Sequence, residues 1–255
     1  MAFAPIVPDW PDLPASVGAL ASTRGGGFSP PPYDSLNLGQ HVADDPALVE
    51  RNRARLAEAL PNYPAFIWQV HGTTVVDAAA VPARSKGPDA DASIATAPGV
   101  VCTVMTADCL PVLFADVDGK VVGAAHAGWR GLAAGVLNET VAAMRAAGAG
   151  EITAWLGAAI GPNEFEVGSE VLAAFVATAR DAAEAERLRA AFAAIDARPG
   201  KYLADIYALG RIFLARDGVT KVSGGSHCTV TERERFFSYR RDGVTGRQAT
   251  MIWRR

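Results

Sequence analysis

The sequence predicts an α/β protein, and three observations lead there. Near-continuous apolar runs, Val100 to Met105 and Leu110 to Ala115, have the composition of strands covered on both faces. Alanine-rich stretches repeat apolar residues at helical spacing, most plainly LAAGVLNETVAAMRAAG from Leu132 to Gly148. Strand-like and helix-like segments alternate, and Asp118-Gly119 marks an antiparallel hairpin, so the sheet is expected to be mixed and flanked by helices on at least one side.

The first 45 residues, rich in Pro, Gly and Ser, predict turns around one strand near Val17 to Thr23. A helix is expected from Asp45-Pro46, where the proline's missing N–H is harmless, and it ends before Pro61. Ala65 to Val70 and Thr73 to Asp77 are β-rich runs separated by His71-Gly72, which places that histidine where a strand bends or ends. After the Asp118-Gly119 turn a strand runs from Val121 to Ala125, and Ile152 to Leu156 is another. Val167 to Ala179, Ala182 to Ala194 and Tyr202 to Arg216 are expected to be helices. Val219 to Ser223, Phe236 to Tyr239 and Gln248 to Trp253 are expected to be closing strands.

A chain of 255 residues is long enough for a well-buried core, and one domain spanning 1–255 is expected. Half the residues are hydrophobic and a fifth charged, which excludes a disordered or collagen-like chain. With 24 basic residues against 27 acidic ones and a net charge of -3, nothing favours a nucleic-acid backbone as partner. Cys102, Cys109 and Cys228 are odd in number and lack C-x-x-C spacing, so neither a disulfide framework nor a zinc knuckle is indicated. The opening MAFAPIVPDWPDLP has no basic region ahead of an apolar one, and no apolar run approaches the roughly 18 residues that span a bilayer. A cytoplasmic protein without membrane partners is the expectation.

Chemistry concentrates in TADCLPVLFADVDGKVVGAAHAGWRG. Cys109 stands before Pro111 at the start of one strand and His126 closes the next, so an antiparallel hairpin brings them to one end in space. His71, ending its own strand beside a glycine, is the natural third partner. One cysteine and two histidines with a fourth position open is a catalytic zinc pattern. The same residues also fit a plainer reading, a buried small thiol beside two satisfied loop histidines. They fit a third, in which Cys109 is a nucleophile with His126 as base and Asp108 as the orienting acid. Against Asp108 stands strand alternation, which turns neighbouring side chains to opposite faces unless the backbone bends there. Cys102 and Cys228 are expected to be structural. For an anionic substrate group, Arg24 in STRGGGFS, Arg130 in GWRG, Arg240 in SYRRDG and His41 ahead of the first helix are candidate contacts. Phe237 and Tyr239 alternate on a short strand, so one face can stack on a base, although packing a core is the commoner role.

WQVHG, TADCLPVLFAD, AAHAGWRG, AIGPNEFEVG and FFSYRRDGVTGRQA, taken together and in this order, make the chain resemble the bacterial laccase-domain family. That family is also described as multicopper polyphenol oxidoreductase-like and is now assigned as purine nucleoside phosphorylases. The resemblance implies mixed sheets sandwiched by helices, akin to the catalytic domain of cytotoxic necrotizing factor, in a monomer or homodimer. It implies zinc held by His71, Cys109 and His126, with copper as a possible substitute, and catalysis centred on those three and Asp108. It further implies phosphorolysis of adenosine, inosine and methylthioadenosine, with purine nucleoside and phosphate as substrates, together with adenosine deamination. At AIGPNEFEVG relatives carry cysteine after the proline, where this chain has Asn163 and Glu164. Deamination needs a proton shuttle, and without an H-x-E motif Asp108 or Glu164 would have to serve. Arg24, His41 and Arg130 suit a phosphate pocket by chemistry. Copper-dependent polyphenol oxidation is the alternative implied by the family's older description, although four histidines cannot build both an electron-entry site and a trinuclear cluster. Hydrolysis or peptidoglycan-precursor editing by a Cys109–His126 pair is the other.

Overall fold

The computed structural model describes residues 3–255; Met1 and Ala2 lie outside the described residues. In chain order the first part holds β1 (Val17–Ala21), α1 (Pro46–Ala57), β2 (Val75–Asp77), β3 (Ala92–Ala95), β4 (Val101–Thr106), β5 (Leu110–Asp116) and β6 (Val122–Ala127). Next come α2 (Trp129–Ala134), α3 (Val136–Ala146), β7 (Ile152–Leu156), β8 (Glu166–Gly168), α4 (Ser169–Val176) and α5 (Ala182–Ala190). The chain finishes with β9 (Phe192–Ala194), β10 (Lys201–Ala204), α6 (Ile206–Arg216), β11 (Val222–Gly224), α7 (Tyr239–Asp242) and β12 (Gln248–Arg254).

Three sheets result. The largest has the order β11-β7-β5-β6-β3-β2, mixed as expected, since β11 pairs with β7 and β2 with β3 in parallel while the central pairs are antiparallel. A second, β1-β12-β4, is antiparallel throughout. Alternation along each strand sorts its side chains between layers. Leu110, Val112 and Phe114 of β5 pack with residues of α3, α4 and α6, whereas Leu113 and Ala115 pack with Cys102 and Val104 of β4. On the outer face of that second sheet Val101 and Met105 join Leu36, Leu38, Leu56 and Phe66, so α1 covers it. The mixed sheet and the antiparallel one stacked on it are therefore sandwiched by helices. Each fully buried Leu, Val or Phe in these layers contributes on the order of 1.5–3 kcal/mol of transfer free energy.

Local chemistry explains where elements begin. Asp45 caps α1 by accepting from Ala47 N at 2.8 Å, and Pro46 follows it. Asp118-Gly119 forms the turn before β6, with Gly119 at φ 69.

Several expectations need correction. The run from Ala65 to Val70 is extended but forms only single bridges, Ala65 to Cys102 and Trp68 to Asp89. The helix expected from Leu132 starts earlier, at Trp129, and is broken in two by Gly135, whose φ of 96 is left-handed. The three helices expected between Val167 and Arg216 lose their ends to β8, β9 and β10, which pair as a small third sheet. Phe236 to Tyr239 is no strand; both phenylalanines are fully buried in a turn and Tyr239 opens α7. Among the described residues no helix is long and apolar enough to cross a membrane.

Candidate metal centre and cleft

The β5–β6 ladder does what the hairpin predicts. Pro111 pairs with His126 and Leu110 with Ala127, so Cys109, one residue before β5, meets the far end of β6. The chain bends at Asp108, which has φ 93, and this removes the alternation objection. Asp108 is nevertheless held from three sides. Its Oδ1 accepts from the Thr229 hydroxyl at 2.6 Å, its Oδ2 from Arg240 N at 2.6 Å, and its carbonyl from Ile160 N at 2.9 Å. It lies in the cleft wall as a fastening for the Cys109 turn.

His71 arrives on a separate turn, at φ 61. That turn is held by Asp91, which the sequence did not single out. Asp91 is fully buried and accepts from the backbone N–H of Val70, His71 and Gly72 at 3.2, 3.0 and 2.6 Å. The same carboxylate lies 2.8 Å from His126 Nδ1, and its own carbonyl accepts from His126 N at 2.7 Å. The pairing of β3 with β6 produces this, because Ala92 sits opposite Ala125. Asp91 thus fixes two histidines at once: one through its backbone turn, the other by accepting the hydrogen bond of Nδ1–H and leaving Nε2 for the site.

The donor atoms of His71, Cys109 and His126 all lie within 4.8 Å of one another, and Cys109 Sγ is 3.9 Å from His71 Nε2. A tetrahedral zinc with bonds of about 2.1 Å to nitrogen and 2.3 Å to sulfur separates such ligands by about 3.4–3.6 Å. A contraction of a few tenths of an ångström to about 1 Å closes the set. The donor set fits zinc, with Asp91 supplying the outer support such ligands usually have. Burial alone would raise the Cys109 pKa, but the neighbouring His126 and His71 override it and lower it to about 6. Burial likewise opposes charge on His126, yet Cys109 and Asp91 raise its pKa to about 9. The direction is that of a thiolate beside an imidazolium, the form in which a thiol binds metal or attacks an electrophile. Gly128 makes the close packing possible: a Cβ there would stand 2.7 Å from His71 Cδ2 and 3.1 Å from Cys109 Sγ.

These residues divide a cleft into two lobes. One, about 270 Å3, is mainly apolar and aromatic, walled by Trp129, Ile160, Phe165, Ile206 and Tyr239, with Arg130 and Arg240 at its edge. The other, about 310 Å3, is polar and holds His41, Gln69, Thr106, His126 and Arg247. His71, Ala107, Cys109 and Tyr239 belong to both. Exposed Tyr239 stands at the divide, whereas buried Phe237 lies under the Arg24 guanidinium.

Of the candidate anion contacts, His41, Arg130 and Arg240 reach the cleft. Arg24 does not line either lobe. Its Nε and Nη2 donate to the Asp34 carbonyl and carboxylate at 2.8 and 3.1 Å and its Nη1 to the Arg233 carbonyl, so it ties loops together. Arg240 is partly committed, donating from Nη1 to the Glu166 carbonyl at 2.9 Å. Glu164 lines neither lobe. Cys102 is structural, buried in β4 with its pKa pushed up to about 12 by burial. Cys228 accepts from Gly161 N at 3.2 Å and His227 pairs with Glu232 at 3.1 Å. Sequence reasoning missed Asp91, Trp129 and Arg247. The only local hints were the second acid of DADAS, the tryptophan of AGWRG and the glycine before Arg247.

A family model described as multi-copper polyphenol oxidoreductase laccase matches residues 18–255. A purine nucleoside phosphorylase of Pseudomonas aeruginosa is 54% identical over 248 residues, covering 97% of each chain. One of Escherichia coli is 54% identical over 250 residues, covering 97% of this chain and 98% of the relative. A crystal structure of a Neisseria meningitidis protein, 49% identical, superposes with a TM-score of 0.88 over 100% of this chain and 99% of its own. With nearly the whole chain matched in sequence and in fold, the protein belongs to the multicopper polyphenol oxidoreductase laccase-like family.

Proposed function

We propose that the protein is a purine nucleoside phosphorylase acting on adenosine, inosine and methylthioadenosine, a single domain over 1–255 working in the cytoplasm as monomer or homodimer. The observation that carries this is the two-lobed cleft, in which an aromatic-apolar lobe and a cationic lobe meet at Cys109 and His71. A purine needs a flat apolar slot, phosphate needs fixed cations, and phosphorolysis needs both at one carbon. The relatives named purine nucleoside phosphorylase support the assignment.

In the reaction a phosphate oxygen bonds to C1′ of the ribose while the C1′–N9 bond breaks. Its electron pair leaves with the purine, which takes up a proton, and the products are free base and ribose 1-phosphate. Trp129, Phe165 and Tyr239 hold the base by stacking and exclude water from it. His71, Cys109 and His126 would hold zinc, which when bound supplies Lewis acidity and activates water. Asp91 keeps both histidines in ligand geometry.

A second reading, adenosine deamination, is favoured by the Cys/His/His donor set itself, because zinc lowers the pKa of water to about 7. Its weakness is the proton shuttle, since both Asp108 oxygens already accept hydrogen bonds that fasten the Cys109 turn. Polyphenol oxidation is disfavoured: among the described residues this is the single cluster of metal-ligating type, and the fourth histidine, His227, is paired with Glu232. Copper can still occupy the same donors, since its intrinsic affinity exceeds that of zinc. Hydrolysis or precursor editing by Cys109 with His126 draws on the same thiolate-imidazolium pair.

The test is to incubate metal-analysed protein with adenosine and inosine, with and without phosphate, and identify products. Ribose 1-phosphate formed only with phosphate is the expected result. Inosine from adenosine without phosphate supports deamination, and neither product refutes both. Lost turnover in Cys109→Ala with metal content intact points instead to the thiol as nucleophile.

A further inference from the structure

The polar lobe holds an arginine whose nearest counter-charges, Cys109 and Asp108, stand off without pairing with it. Arg247 forms no ion pair among the described residues. Its Nη1 donates to the Thr245 and Gly246 carbonyls at 3.1 and 2.9 Å, while among the described residues Nε and Nη2 donate to none. Those two N–H groups are the parallel fork that matches two oxygens of an oxyanion. The residue is fastened at its backbone: Arg247 N donates to Asn37 Oδ1 at 2.9 Å and Leu38 N to the Arg247 carbonyl at 3.1 Å. Behind the loop Arg53, 2% exposed, donates to the Leu38 carbonyl at 2.9 Å and lies over Phe66, again without a carboxylate.

Two further observations point to a ligand. Thr106, which lines this lobe and is 2% exposed, has a buried hydroxyl with no hydrogen-bond partner. An orphaned buried hydroxyl is destabilising unless something else completes it. His41, exposed and lining the same lobe, has its pKa lowered to about 4, by partial burial first and then by the positive charge of Arg247 and Arg53. The imidazole is neutral at pH 7 and retains one N–H donor.

We propose that this lobe is the seat of inorganic phosphate: the free fork of Arg247 grips two oxygens, with the Thr106 hydroxyl and His41 completing the shell. This rests on the phosphorolysis reading and divides the cleft for it. The purine lies in the aromatic lobe, phosphate beside Arg247, and C1′ near the Cys109–Tyr239 divide. Arg130 and Arg240 are left at the base or ribose.

The experiment uses the full chain, zinc-loaded, as wild type, Arg247→Gln, Arg247→Lys and Thr106→Val. Inosine phosphorolysis is followed at varied phosphate, and phosphate binding without nucleoside is measured by calorimetry. The KM for phosphate is expected to rise roughly 10- to 100-fold in Arg247→Gln and less in Arg247→Lys and Thr106→Val, with zinc content and the KM for inosine little changed. An unchanged phosphate KM across the variants overturns the subsite even if phosphorolysis stands. Phosphate bound by wild type and not by Arg247→Gln, without turnover in either, keeps the subsite and sinks the reaction. Tight, Arg247-dependent binding of adenosine 5′-monophosphate in place of inorganic phosphate overturns the assigned occupant.

Discussion

Replacing Asp91 by Asn tests whether one buried carboxylate organises the metal centre. The change is nearly isosteric, so it creates no cavity, and its effect comes from charge and hydrogen bonds alone. Asp91 receives four donors, the N–H groups of Val70, His71 and Gly72 and the Nδ1–H of His126. A single amide oxygen can serve at most two of them. Two donors, part-buried where they belong to the His71 turn, are orphaned, each costing about 1–3 kcal/mol, which sums to roughly 4 kcal/mol. That falls in the 3–5 kcal/mol range seen when a buried charged pair is broken. For a chain of this size it means a fall of roughly 8–16 °C in the melting temperature of the metal-free protein. There is a second consequence at the metal. An amide NH2 facing His126 turns Nδ1 into an acceptor and moves the ring proton to Nε2, the nitrogen that must be free to coordinate. Zinc affinity, measured by competition with a chromogenic chelator, is expected to fall about 10- to 100-fold. Asp91→Asn melting within about 2 °C of wild type without metal, or binding zinc within about threefold, would refute the reasoning.

Gly128→Ala places a methyl 2.7 Å from His71 Cδ2 and is expected to displace that ligand while costing the fold about 1–3 kcal/mol, so retained zinc falls, as read by metal analysis after gel filtration against a chelator. Glu184 gives a pH prediction. It accepts from Arg180 N at 2.7 Å and from Arg216 Nε at 3.2 Å, and although burial opposes its charge, these partners lower its pKa from 4.5 to about 2. The arginine side chains screen it from solvent near the surface. A depressed carboxylate stabilises the fold fully above pH 4.5 and loses that contribution as pH falls toward 2, so Glu184→Gln is expected to cost about 1–2 kcal/mol at pH 7 and to converge with wild type in acid denaturation near pH 2. A constant difference across that range would count against the pair.

Much of the sheet could be read because β4 and β5 are buried on both faces, and burial there writes itself as near-continuous apolar sequence. The short strands β8, β9 and β10 could not, since three- and four-residue strands exist by pairing with each other, and their apolar spacing merges with the helices beside them. The same division holds in the site. His71, Cys109 and His126 advertise themselves by residue type next to glycine or proline at strand ends. Asp91 and Arg247 do not, because an acid or arginine in a polar stretch looks like surface until the β3–β6 ladder or the Asn37 loop brings it inside. Arg24 misled for the complementary reason: its glycine-rich neighbourhood serves loop-to-loop anchoring to Asp34 and Arg233.

The two-residue repeat of the β5–β6 ladder has a bearing on how the protein matures. His126 shares a face with Val122 and Ala124, and sliding β6 by one place would swing it to the helical side, far from Cys109. No cation can gather its three anchors from a misaligned hairpin, so metal uptake during refolding reports late alignment and cannot guide early collapse.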